Sequence, residues 1–137
     1  MNIFLSTIAT VISGTIVFII GQIIVECFVK PMQEYKKIKS EISYLLVMHA
    51  NKFHNPLNSK HTDEMYDDAS EEMRSVAARL EGFKQIKPFF VRKDNVEKAK
   101  SGLIGISNSF YYVSDSHDII KDNIKFQSEI KEALNIK

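Results

Sequence analysis

Four histidines, one cysteine and a run of carboxylates are the side chains in this 137-residue sequence that could do chemistry. His49, His54, His61 and His117 could bind a metal or move a proton, yet no two of them stand at an HExxH-type spacing and no cysteine pair joins them. His54 and His61 with Asp63, Glu64, Asp67 and Asp68 form the one carboxylate–imidazole grouping a cation could use. A helix start explains those acids equally well, because carboxylates suit the positive end of the helix dipole. His49 lies on an apolar stripe, the ordinary place of a hydrogen-bonded core histidine. There is no GxSxG elbow, no Walker loop and no GxGxxG turn. The expectation is therefore no catalytic residue, no metal site and no cofactor.

Glu26 is the ionisable group in the least ordinary setting. It interrupts the apolar run Ile3 to Val29, and before it no side chain from Met1 to Val25 is charged. An ionisable group inside a membrane span is a functional candidate by default. Two readings stand beside each other. Glu26 can pair with Lys30, the favoured Glu-to-Lys order at i,i+4, or, on the stripe Thr15, Gln22, Glu26, it can join Gln22 in a polar seam of an oligomer, hydrogen-bonded across helices or facing a pore. Cys27 reads as apolar filler.

The element that positions Glu26 is a transmembrane helix. At 1.5 Å per residue about 25 uncharged residues cross a hydrocarbon core of about 30 Å. A signal peptide would carry a basic segment first, and no Lys or Arg precedes Lys30. Lys30, Lys36, Lys37 and Lys39 follow the span directly, so the positive-inside rule puts the N-terminus outside and the remainder in the cytoplasm. The organisation expected is an anchor over residues 1–30 and a helical bundle over 31–137. One face of the span gathers Ser6, Thr10, Ser13, Gly14 and Gly21, small residues that let a second helix approach. Thr10, Gly14, Gly21, Gln22 and Glu26 are thus the candidates for oligomerisation through the span.

Beyond Pro31, which closes the span or opens the next helix, apolar residues recur at helical spacing. Tyr35, Ile38, Ile42, Leu45, Leu46, His49 and Phe53 make a first stripe; Met65, Ala69, Met73, Val76, Ala77 and Leu80 a second, on a helix capped by Thr62 and running to about Phe83. A third helix is expected from Asp94, with Glu97 answering it in a capping-box-like arrangement, and a stripe of Val96, Ala99, Leu103, Ile106 and Phe110. Ser114 to Ser116 re-cap the chain before Ile119, Ile120, Phe126, Ile130, Ala133 and Leu134. The fold class is all-α: one transmembrane helix, then an antiparallel bundle of about four helices. Gly102 and Gly105 cost about 1 kcal/mol each in a helix interior relative to Ala; close packing on a neighbouring helix, a hinge or a partner groove would each offset that.

Charge is dealt in blocks. Residues 30–60 carry six basic and two acidic side chains, 63–81 two basic and seven acidic, and 84–100 six basic and two acidic. Adjacent helices of opposite sign would attract weakly. With 18 basic against 17 acidic side chains overall there is no global attraction to nucleic acid, and a single cysteine makes no internal disulfide. In an up-and-down bundle the 86–93 loop returns to the membrane. Lys87, Phe89, Phe90, Arg92 and Lys93 could meet the bilayer there together with Lys30, Lys36 and Lys37, each basic group contributing about 1 kcal/mol near anionic headgroups. Alternatively the two phenylalanines close the bottom of the bundle core.

Gly21-Gln22, Pro31 with Gln33-Glu34, Ala77-Ala78-Arg79-Leu80 and Leu103-Ile-Gly-Ile-Ser-Asn-Ser109 together resemble a group of small, single-span bacterial inner-membrane proteins without an assigned activity. The resemblance covers most of the chain and implies residence in that membrane. The residues themselves leave two functions open: a self-associating adaptor that holds a cytoplasmic protein partner at the membrane, or an effector of toxin or defence type whose spans assemble and permeabilise the bilayer.

Overall fold

The computed structural model describes residues 2–54, 63–86, 91–111 and 116–136. It consists of α1 (Asn2–Ile24), a π-helical turn (Val25–Val29), α2 (Lys30–Met48), the short α3 (Ala50–His54), α4 (Asp63–Ile86), α5 (Lys93–Ser109) and α6 (Ser116–Leu134). Among the described residues there is no strand. The chain divides into two compact units, Met1–Tyr35 and Lys36–Lys137.

In the first unit every described side chain from Ile3 to Lys30 is exposed, and the helix is long and apolar enough to cross a membrane. Thr7, Thr10, Ser13 and Thr15 donate their hydroxyls to carbonyls of the preceding turn, which satisfies polar groups that would be costly in hydrocarbon. Pro31 is the second residue of α2, in the first turn of the helix that follows the π turn. It lacks the N–H that Cys27 O would accept, and its ring crowds that carbonyl. The backbone widens just ahead of it, and Lys30 N–H reaches back to Val25 O. A π turn is the usual way a helix absorbs such a lesion without breaking.

The second unit is a helical bundle whose inner faces follow the apolar stripes. Ile38, Ile42, Leu45 and Leu46 of α2, Ala69, Met73, Val76, Ala77 and Leu80 of α4, Val96, Ala99, Leu103 and Ile106 of α5, and Ile130, Ala133 and Leu134 of α6 are buried. Ile119 is also buried, whereas Ile120 and Phe126 are only partly covered. Tyr66 and Phe83 join the core; Tyr66 sets its ring against Phe110, centroids 5.7 Å apart at 65°. Helix direction is fixed by who meets whom. Along α4, Arg74 meets Asn108 of α5 while Lys84 meets Glu97. Glu41 of α2 meets Arg79 while His49 meets Glu72, and Gly102 faces Ile130 of α6 while Gly105 faces Phe126. Rising numbers on one helix meet falling numbers on the next, so consecutive long helices run antiparallel.

Two expectations about helix ends are corrected. α5 starts at Lys93, and the extended residue at its N-cap is Arg92 (φ −77°, ψ 123°), with no side-chain cap. Asp94 therefore lies inside the first turn, where its charge still suits the dipole, and Glu97 pairs with lysines instead of answering a cap. The second bundle helix continues past Phe83 to Ile86. Thr62 and the Ser114–Asp115 turn lie outside the described residues.

Candidate functional site

Two places collect the residues that sequence reasoning singled out: the long apolar N-terminal helix with the π turn that follows it, and one end of the bundle. In the π turn, Glu26 is bound within its own helix. Lys30 Nζ donates to Glu26 Oε1 at 2.5 Å, and both side chains are exposed. This is the i,i+4 pair, formed on one turn without a partner molecule. Thr10 is bonded to Ser6 O. Gly14 and Gly21 are open: a methyl group built on either would find no atom within 4 Å. Small residues on an uncovered helix leave room for another backbone.

At the bundle's start, α2 presents Lys36 and Lys37 to solvent and Lys39 half-covered, its ammonium 3.4 Å from Asn135 O at the C-terminus of α6. Because α2 runs against α4 and α4 against α5, the same end holds Ile86 and then Arg92 and Lys93. Arg92, Lys98 and Asn95 of α5 with Glu129 and Glu132 of α6 line an open cleft of about 430 Å³. Lys87, Phe89 and Phe90 lie outside the described residues.

Just inside this end a four-membered ion cluster joins α4 to α5. Lys84 Nζ lies 2.6 Å from Glu97 Oε2 and 3.6 Å from Glu81 Oε2; Lys100 Nζ lies 2.9 Å from Glu81 Oε2 and 2.7 Å from Glu97 Oε1. The hydrogen bond from Lys100 holds the Glu81 carboxyl below its ordinary value, and those from Lys100 and Lys84 do the same for Glu97. Lys84 and Lys100 are raised, chiefly by their bonds to Glu97. A carboxyl whose folded value is depressed contributes stability that is fully present above its unfolded value of 4.5 and is lost as pH falls through the folded value. Urea titrations of the full chain should therefore show Glu97→Gln less stable than wild type at pH 7. Below pH 4.5 the wild type should lose stability more steeply, so that the two converge. A constant difference from pH 7 down to about pH 2 would contradict this linkage.

Two further polar groupings make helix–helix contacts. His49, 3% exposed, sets Nε2 2.7 Å from Glu72 Oε2 across α2 and α4, as a core histidine should. Ser107, fully buried on α5, shares a 2.7 Å hydroxyl bond with Ser70 of α4 and accepts from Arg74 Nε at 2.8 Å; Arg74 Nη2 donates to Asn108 Oδ1 at 2.7 Å. Sequence reasoning missed this cluster. Its only local signal was Ser70 and Ser107 at core-facing positions of otherwise apolar stripes. His54 Nδ1 lies 2.7 Å from Ala50 O, while His61 and the side chains of Asp63 and Glu64 lie outside the described residues. No family model, no curated protein and no solved structure matches the chain.

Proposed function

We propose that this chain is a single-pass, self-associating membrane module whose cytoplasmic bundle is an interaction scaffold rather than an enzyme. The observation that carries the reading is α1: an apolar helix whose described side chains are all uncovered, joined to a bundle that already has its own core. Such a helix needs lipid or another helix around it. The lysines after the span and their absence before it support an N-out orientation with the bundle in the cytoplasm of a bacterial cell. The commitment of Ser70, Ser107, Arg74, His49 and Glu72 to contacts between helices supports a non-catalytic role.

The permeabilising alternative needs polar side chains turned toward a pore. The Glu26–Lys30 pair favours the scaffold, since a carboxylate satisfied on its own helix asks nothing of neighbouring spans. Expression in cells with a voltage-sensitive dye separates the two. The scaffold reading expects unchanged membrane potential, a C-terminal reporter active only in the cytoplasm, and self-crosslinking in the membrane. Depolarisation relieved by Gln22→Leu or Glu26→Ala would overturn it in favour of the effector.

A further inference from the structure

The bundle is polarised along its axis, and this polarity is absent from the order of charges in the chain. Within the second unit, at the end where α2 enters it, the described side chains of Lys36, Lys37, Lys39, Arg92, Lys93, Lys98 and Lys131 stand against Asp94, Glu129 and Glu132, seven basic against three acidic. The Glu81, Lys84, Glu97 and Lys100 cluster and the Glu41–Arg79 pair are neutral within themselves. Toward the far end Asp67, Asp68, Glu71, Glu72, Asp118 and Asp122 outnumber Lys52, Arg74, Lys121 and Lys125, six acidic against four basic. Antiparallel packing does this, because the acidic half of α4 is its N-terminal half while the basic portions of α2 and α5 are their N-terminal portions.

From this we propose that the basic end of the bundle docks on an anionic lipid headgroup surface while the acidic end is held away from it. The proposal rests on the membrane-anchor reading above and adds the surface and its partner. Three observations and one principle favour lipid. The excess charge is spread over three helices at one end, and only Arg92 and Lys98 of the seven cations line the cleft there. Ile86, 59% exposed, ends α4 at this same end of the bundle and offers the interface an apolar group. Lys36 follows Val29, the end of the apolar run, by seven positions, so the chain cannot carry Lys36 more than about 25 Å from that run. An anionic leaflet attracts basic groups within a Debye length and repels the opposite pole, so one field both docks and orients the bundle.

The chain has no tryptophan, which makes a single introduced indole a clean depth probe. Ile86→Trp reports the basic end. Tyr111→Trp, just beyond the C-terminus of α5 and 54% exposed, reports the other. Each full-length variant is placed in nanodiscs of brominated phosphatidylcholine, with or without about 30% brominated phosphatidylglycerol. Bromine should quench Ile86→Trp about twofold more in the anionic discs, and the excess should vanish in about 0.5 M salt. It should also vanish in the exposed-site combination Lys36→Glu/Lys37→Glu/Arg92→Glu/Lys93→Glu, and shrink by about half in Arg92→Gln/Lys93→Gln. Tyr111→Trp should remain unquenched throughout. Co-elution of protein with the discs reads the span independently. Co-elution with quenching of Ile86→Trp that ignores lipid charge overturns the docking and leaves the anchor standing. Failure to co-elute overturns both.

Discussion

Gly102→Leu is expected to destabilise the bundle by about 3 kcal/mol, the upper part of the range for overpacking a filled core. Gly102 is buried on α5, and a Cβ there would lie 2.7 Å from Ile130 Cγ1, 3.1 Å from Ile130 Cδ1 and 3.2 Å from the backbone oxygen of Phe126. The carbonyl belongs to α6 and cannot yield without moving the helix. Even Gly102→Ala should lose about 1 kcal/mol net, since the overpacking exceeds the helix-propensity gain of about 1 kcal/mol. Gly105 makes the contrast. The nearest atoms to its added Cβ are the far edge of the Phe126 ring, at 2.7 Å, and that partly exposed side chain, unlike a backbone carbonyl, can give way. Gly105→Ala should therefore be neutral within about 0.5 kcal/mol. Urea unfolding of full-length protein in nanodiscs, followed by circular dichroism, measures both. Equal losses at the two glycines would contradict the asymmetric packing of α5 on α6. Gly102→Ala/Ile130→Ala should be less damaged than the two single changes combined, because the second change removes the clash the first creates.

If α1 self-associates as proposed, Gly14→Ile/Gly21→Ile is expected to leave the bundle's unfolding curve unchanged and to lower that association in lipid about tenfold or more. The single chain gives these glycines no neighbour within 4 Å, so added side chains meet nothing in the monomer. Isoleucine is also no burden to a lipid-facing helix. Any loss of association must then come from a second helix kept at a distance. Energy transfer between labelled chains at several protein-to-lipid ratios measures it. Dimerisation unaffected by the pair would move the interface off the Thr10, Gly14 and Gly21 face.

Much of the molecule is legible in the residues because much of it is local. A helix writes its buried face at three-and-four spacing, so Ile38 to His49, Ala69 to Leu80 and Val96 to Ile106 could be assigned to the core from the sequence, and they are buried. Glu26 and Lys30 stand one turn apart, and their pairing needs nothing beyond that turn. The apolar length of the span likewise depends on a continuous run and on no distant residue.

What the sequence left open depended on the partner each helix acquires. Gly102 and Gly105 announced a cost in α5, but only the approach of Ile130 and Phe126 on α6 supplied the reason. Glu97 was assigned to a helix cap by its spacing from Asp94. Packing brought Lys84 from another helix into reach, added Lys100 at its own i+3 position, and the backbone placed the cap at Arg92. Ser70 and Ser107 are 37 positions apart, and no local rule joins them. The alternating charge blocks suggested helix-to-helix attraction; antiparallel packing sorted much of that charge to opposite ends of the bundle. Local periodicity fixes which side of a helix is buried, whereas the identity of the opposing helix, and with it every cross-helix bond, is settled only when the chain closes on itself.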